Sequence, residues 1–300
     1  MKMDVSMAGA YAPITTLFDA KGEVAYDKLA ENVAKWAKTR LTGLVVLGSN
    51  GEGVFLTEEE RKRVAETVRQ ALPHDKRMVV GTGMESTYAT ARQNEIAAQV
   101  GADAVLVITP SYYRSKMDGP AMVRHYTALA EQSALPLFIY NMPGNTGIDL
   151  SVETVLEIAQ HPNVIGVKDS SGNIAKIGAV IAAAPPHFKV YAGSASFLYP
   201  TVALGGVGAV MALGNIAPNV CANLYELAAA GRHADARDLQ LKIIPLNTAV
   251  TAGFGIPALK QGLDWVGYYG GPVRSPLAPL TEAQKSKLRE MMAALGVLQN

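Results

Sequence analysis

The sequence predicts an α/β fold, a (β/α)8 TIM barrel with a C-terminal helical extension. Three observations predict it. Eight short apolar runs of strand type alternate with helix-spaced segments across residues 1–217, a count that closes a parallel barrel more readily than it fills an open sheet. The run 41–48 is apolar without alternation, as strands covered on both faces are. Strand signals stop after Pro218, and the remainder reads as helix. The expected organisation is therefore a barrel over 1–217 that carries the active site, and a helical region over 218–300 packed on it.

In chain order, residues 12–18 read as the first strand and 19–22 as a turn. Over 27–38, Leu29, Val33 and Trp36 fall on one side at helical spacing. The second strand, 41–48, ends in Ser49-Asn50-Gly51-Glu52-Gly53; Thr57 and Glu60 then form a capping-box pattern that starts a helix. Strands follow at 77–83, 102–109 and 135–141, with helices at 86–100, 119–132 and 151–160 and loops at 110–114 and 142–147. After a His161-Pro162-Asn163 turn comes V-I-G-V-K-D-S at 164–170, in which four apolar residues deliver Lys168 and the polarity changes at once. Helix 174–184, strand 189–194, helix 197–204 and strand 207–213 complete the units. Beyond Pro218, helices are expected at 220–230, 233–249, 257–268 and 281–295, with a loop at 270–276.

Bulk properties exclude several classes. Lys and Arg number 27 against 26 Asp and Glu, with signs mixed, so no face attracts nucleic acid or an anionic membrane through net charge. One cysteine, Cys221, excludes an intrachain disulfide and a cysteine-rich metal site, and reads as a small core residue. The five histidines are scattered without metal-ligand pairing, so no catalytic metal is expected. The glycine run at 205–208 lacks the lysine of a phosphate loop. Residues 1–10 contain Asp4 and no leader-like apolar run, and apolar segments elsewhere fall short of membrane-spanning length. The expectation is a soluble, cytoplasmic protein of a reducing compartment.

In such a barrel the chemistry sits where strands end and βα loops begin. Lys168 ends a buried strand, where an ammonium is costly to desolvate; its neutral amine is a nucleophile for a carbonyl. The plainer reading is a lysine paired with Asp169. Tyr140 ends the adjacent strand, about 5 Å away, and a phenol there can shuttle a proton. Ser49, Asn50 and Gly51, with the loop's backbone N–H groups, form a candidate carboxylate cradle. Tyr112 and Tyr113 follow strand four as a lid, a relay to Tyr140 or a subunit contact; Gly193 and Ser194 follow strand seven, small enough for a ligand to approach.

Together the motifs G-S-N-G-E at 48–52, Y-N-M-P-G-N-T-G at 140–147, G-V-K-D-S at 166–170 and A-G-S at 192–194 resemble the dihydrodipicolinate synthase / N-acetylneuraminate lyase family of pyruvate-dependent class I aldolases. The resemblance covers essentially the whole chain. It implies a homotetramer acting on pyruvate or another 2-oxo acid without a cofactor. It further implies Lys168 as Schiff-base former, Tyr140 as proton shuttle, Ser49 and Asn50 as carboxylate binders, and Tyr112 as a tyrosine that reaches a neighbouring subunit's site. Ser170, two residues past the lysine, is a candidate for holding a second carboxylate or a water. Asn145 stands where dihydrodipicolinate synthases generally carry arginine for the second substrate, and the change removes a charge and a bidentate grip. F-G-I-P at 254–257 and D-W-V-G-Y-Y-G-G-P at 264–272 are closest to 4-hydroxy-2-oxoglutarate aldolases. The implied activity is cleavage of 4-hydroxy-2-oxoglutarate to pyruvate and glyoxylate. Dihydrodipicolinate synthesis and 2-keto-3-deoxy sugar acid cleavage are the alternatives.

Overall fold

A computed structural model of the protein describes residues 7–298. Residues 1–6, including Asp4, and 299–300 lie outside the described residues. Eight parallel strands close in sequence order into a barrel: β1 Gly9–Pro13, β2 Gly43–Val46, β3 Arg77–Gly81, β4 Ala104–Ile108, β5 Leu137–Asn141, β6 Val164–Asp169, β7 Lys189–Ala192 and β8 Gly208–Val210. The intervening helices are α1 Tyr26–Ala37, α2 Glu58–Ala71, α3 Thr87–Val100, α4 Gly119–Gln132, the single turn α5 Pro143–Thr146, α6 Val152–Ile158, α7 Ile174–Ala183 and α8 Leu198–Ala203. Then come α9 Pro218–Ala229, α10 His233–Thr248, α11 Ile256–Trp265 and α12 Glu282–Leu295, with a π-helical turn at Ala249–Gly253. This is the expected TIM barrel with C-terminal helices.

Two cores follow from the strand period of two. Inward-facing side chains, among them Tyr11, Val45, Val79, Leu106, Phe138 and Tyr191, fill the barrel. The larger core lies between barrel and helices. At the floor, the Tyr11 and Tyr191 hydroxyls both donate to the Met7 carbonyl, at 2.8 Å each. Small residues close the seam: a Cβ on Gly208 would lie 2.2 Å from the Gly9 carbonyl oxygen.

The first strand is displaced from its expected place at 12–18. Pairing with β2 and β8 runs over Gly9–Pro13. Ile14, Leu17 and Phe18 are buried in the following loop, so their apolarity reports burial under the C-terminal region and not a strand. Other strands also end earlier than expected. Leu47 adopts φ 61 beyond the end of β2, β7 stops at Ala192, and a 3-10 turn at Ala212–Asn215 takes Ala212 and Leu213, expected in the last strand. The segment 142–147, expected as loop, contains α5. The capping box of α2 forms as expected: Thr57 Oγ1 accepts from Glu60 N at 3.2 Å, and Glu60 Oε2 accepts from Thr57 N at 2.8 Å. Among the described residues no helix is long and apolar enough to cross a membrane.

Candidate active site at the top of the barrel

Strand register brings the central pair together. Tyr140 on β5 lies beside Lys168 on β6, and Lys168 beside Tyr191 on β7. Alternation turns Tyr140 and Lys168 inward, while the next residues, Asn141 and Asp169, turn outward. Lys168 is 4% exposed, and its Nζ rests 3.9 Å from the centroid of the Tyr140 ring. Beneath it is an apolar cavity of about 20 Å³, lined by Tyr11, Phe138 and Tyr191 among others, room for about one water.

The pairing of Lys168 with Asp169 does not form. Asp169 accepts from Lys176 Nζ at 2.9 Å and from Asn141 Nδ2 at 2.9 Å, on the outer face of the barrel. Asn141 also donates to Asp149 at 2.8 Å and accepts from Leu150 N at 3.0 Å; Lys176 pairs with Asp149 as well. This buried network fixes the ends of β5 and β6, and none of the ion pairs of the described residues includes Lys168.

The phenol of Tyr140 lies 3.3 Å from Ser49 Oγ. Burial opposes ionisation of this tyrosine, but the Lys168 charge and the Ser49, Lys168 and Ser170 side chains outweigh it and hold its pKa below the ordinary tyrosine value. Ser49, Asn50 and Gly51 form a 3-10 turn, whose first N–H groups have no carbonyl behind them within the turn. Gly51 is buried, and a Cβ there would come 3.3 Å from the Ile14 carbonyl oxygen. Ser170 Oγ is buried without a partner of ordinary hydrogen-bond geometry. Gly193 packs on it so closely that a Cβ would lie 1.9 Å from Ser170 Oγ.

Lys168, Tyr140 and Ser49 therefore converge, with Asn50, Gly51, Ser170 and Gly193 around them. Three expected site residues stand apart. Ser194 Oγ accepts from Asn247 Nδ2 of α10 at 2.9 Å. Asn145 is exposed on α5. Tyr112 is 79% exposed and packs edge-on against Tyr113, centroids 5.1 Å apart, so within one chain it takes no part in the cluster.

Sequence reasoning missed Glu52, Lys260 and Arg274. Lys260 Nζ lies 2.5 Å from Glu52 Oε1, with the side chains 1% and 0% exposed, and donates to the Pro272 carbonyl at 2.8 Å. Arg274 N donates to Glu52 Oε2 at 2.9 Å. The available signal was spacing: Ile256, Leu259, Lys260 and Leu263 share one helical face. Among the described residues no group of three or more His, Cys, Asp or Glu side chains is placed to hold a metal.

Known proteins agree with this architecture. The family model of the dihydrodipicolinate synthetase family matches residues 6–295. The chain is 35% identical over 287 residues to the probable mitochondrial 4-hydroxy-2-oxoglutarate aldolase of Emericella nidulans, covering 94% of this chain and 93% of that one. It is 36% identical over 256 residues to the 4-hydroxy-tetrahydrodipicolinate synthase of Acidiphilium cryptum, covering 85% and 87%. Among solved structures, the dihydrodipicolinate synthase of Acinetobacter baumannii complexed with pyruvate superposes with a TM-score of 0.93 at 30% identity, covering 98% of this chain and all of that one. Matches of this length, on a closed eight-stranded barrel, make the chain a member of the dihydrodipicolinate synthetase family, a family of lyases of the aldolase type.

Proposed function

We propose that the protein is a Schiff-base aldolase that cleaves a 4-hydroxy-2-oxo acid, 4-hydroxy-2-oxoglutarate in the first place, to pyruvate and glyoxylate. The observation that carries this reading is the buried Lys168 amine on the face of Tyr140, with Ser49 on the phenol. Lys168 Nζ attacks the C2 ketone, and Tyr140 passes a proton to the departing hydroxyl so that water leaves and an iminium forms. Deprotonation of the 4-hydroxyl breaks the C3–C4 bond, and its electron pair moves into the iminium. The aldehyde departs, the enamine is protonated at C3, and water returns the lysine with release of pyruvate. Ser49, Asn50 and the N–H groups of their turn hold the pyruvyl carboxylate; Ser170, packed against Gly193, faces the far end of the substrate. Asn145, where related synthases generally carry a guanidinium, lacks a bidentate grip on the second substrate's carboxylate, which counts against aspartate semialdehyde.

The synthase reaction is the second reading, favoured by the Acidiphilium relative and the Acinetobacter structure. Specificity constants separate them. This reading expects 4-hydroxy-2-oxoglutarate, or a 2-keto-3-deoxy sugar acid if the pocket takes longer chains, to exceed the synthase reaction. A synthase rate well over about tenfold higher would overturn the weight placed on Asn145. We also read the protein as a cytoplasmic homotetramer of a barrel over 1–217 and a helical region over 218–300, in which exposed Tyr112 completes a neighbour's site. Light scattering on the purified chain tests the assembly. A relative named mitochondrial makes an organelle the competing location, which cell fractionation separates.

A further inference from the structure

The turn that carries Ser49 and Asn50 is held in a costly shape. It lies between two non-glycine residues at positive φ, Leu47 at 61° and Glu52 at 52°, a conformation that persists only where surrounding contacts impose it. From the barrel side, Arg61 donates to the Gly53 carbonyl at 2.8 Å and to the Gly81 carbonyl at 2.9 Å. From the C-terminal side, Glu52 turns its carboxylate inward onto Lys260, while Arg274 holds Glu52 through its amide. The Arg274 guanidinium reaches the Phe55 carbonyl at 3.0 Å and Glu60 at 2.6 Å. Both cations stack on Phe18, Lys260 at 4.3 Å and Arg274 at 4.4 Å from its centroid. Burial lowers the Lys260 pKa to about 8 against the pull of Glu52. Nothing in the reaction uses these charges, and a buried pair adds little to stability over apolar residues of the same size.

We propose that Glu52 is a positioning residue, clamped by Lys260 and Arg274, through which the C-terminal region sets the Ser49–Asn50 turn for binding the 2-oxo acid carboxylate. This deepens the proposed function and rests on the reading of Ser49 and Asn50 as carboxylate binders. The clamp makes the C-terminal helices part of the site: releasing it leaves Lys168 and Tyr140 in place and lets the cradle drift.

The test uses the full chain with Glu52→Gln and Lys260→Met combined, since either change alone strands a buried partner. The expected result is a KM for pyruvate in the condensation direction raised about tenfold or more. The thermal midpoint should stay within a few degrees, and borohydride at saturating pyruvate should still mark Lys168. Arg274→Ala, which removes the guanidinium that anchors the Arg274 amide against Gly22, Phe55 and Glu60, is measured beside it and should shift KM the same way, so that poor folding of the double variant does not shield the proposal. Ser49→Ala is the control arm. Raised KM in Ser49→Ala with an unchanged KM in a folded clamp variant would overturn the clamp and leave the cradle standing. Unchanged KM in both would overturn the cradle, and the clamp with it.

Discussion

At the residue scale the decisive placement is an amine with no ion-pair partner among the described residues, laid on a phenol. Register put it there: one residue earlier or later on β6 turns the side chain to the outer face, where Asp169 meets Lys176. Tyr140→Phe keeps the ring that Lys168 rests on and removes the proton carrier. Its kcat should fall by about 10²- to 10⁴-fold with an unchanged melting curve, and steady-state kinetics beside a circular-dichroism melt checks both. A second residue makes a stability prediction. His125 is buried, its Nδ1 lies 2.9 Å from Thr87 Oγ1, and its Nε2 has no hydrogen-bond partner among the described residues. Burial lowers its pKa from 6.5 to about 4. The unfolded histidine therefore takes a proton below pH 6.5 that the folded one refuses until about pH 4. The contribution is fully present above pH 6.5 and is lost as pH falls toward 4, worth roughly 3 kcal/mol over that window. His125→Gln should flatten the fall in unfolding free energy between pH 6.5 and 4.5 relative to the parent; equal slopes in urea titrations would contradict it.

At the element scale, the ends of strands and the turns beyond them decide the site. Gly193 follows β7 and touches Ser170 after β6, with its N–H bonded to the Asp169 carbonyl at 2.7 Å. Gly193→Ala drives a methyl into Ser170 Oγ and the Asp169 carbonyl, so it should cost about 1–3 kcal/mol and reduce turnover by displacing Ser170. Chemical denaturation and kinetics on one preparation test both. How much of this was legible in the sequence varied with how local the cause is. The Thr57 capping box was readable because it is set by four consecutive positions. Lys168 and Tyr140 were readable because a buried strand that ends in a polar side chain is itself a contrast. The end of β1 was not, because Phe18 is covered by a segment more than 230 residues away, and apolarity cannot say what does the burying. Glu52 and Lys260 were missed for the same reason: each looks like a surface charge until the other is brought to it.

At the scale of the whole molecule, the barrel and the C-terminal helices are stitched through shared side chains. The Trp36 indole stacks on Tyr268 with centroids 5.2 Å apart. Asn32 exchanges hydrogen bonds with the Tyr269 backbone at 2.7 and 3.0 Å, and the Tyr269 hydroxyl reaches the Phe18 carbonyl at 2.9 Å. A chain ended after Ala217 loses these partners and uncovers Trp36 and Phe18. It should show no cooperative melt, while the full chain should unfold in one transition by fluorescence and circular dichroism alike. A truncated barrel that melts cooperatively would show that the two regions are independent.

The central claim is that Lys168 forms the covalent bond to substrate. Incubation with pyruvate and borohydride, followed by peptide mass mapping, tests it most directly. The account predicts one reduced pyruvyl adduct, located on Lys168 and absent from a folded Lys168→Ala variant that no longer cleaves 4-hydroxy-2-oxo acids. An adduct on a different lysine, or cleavage that survives Lys168→Ala, would contradict it.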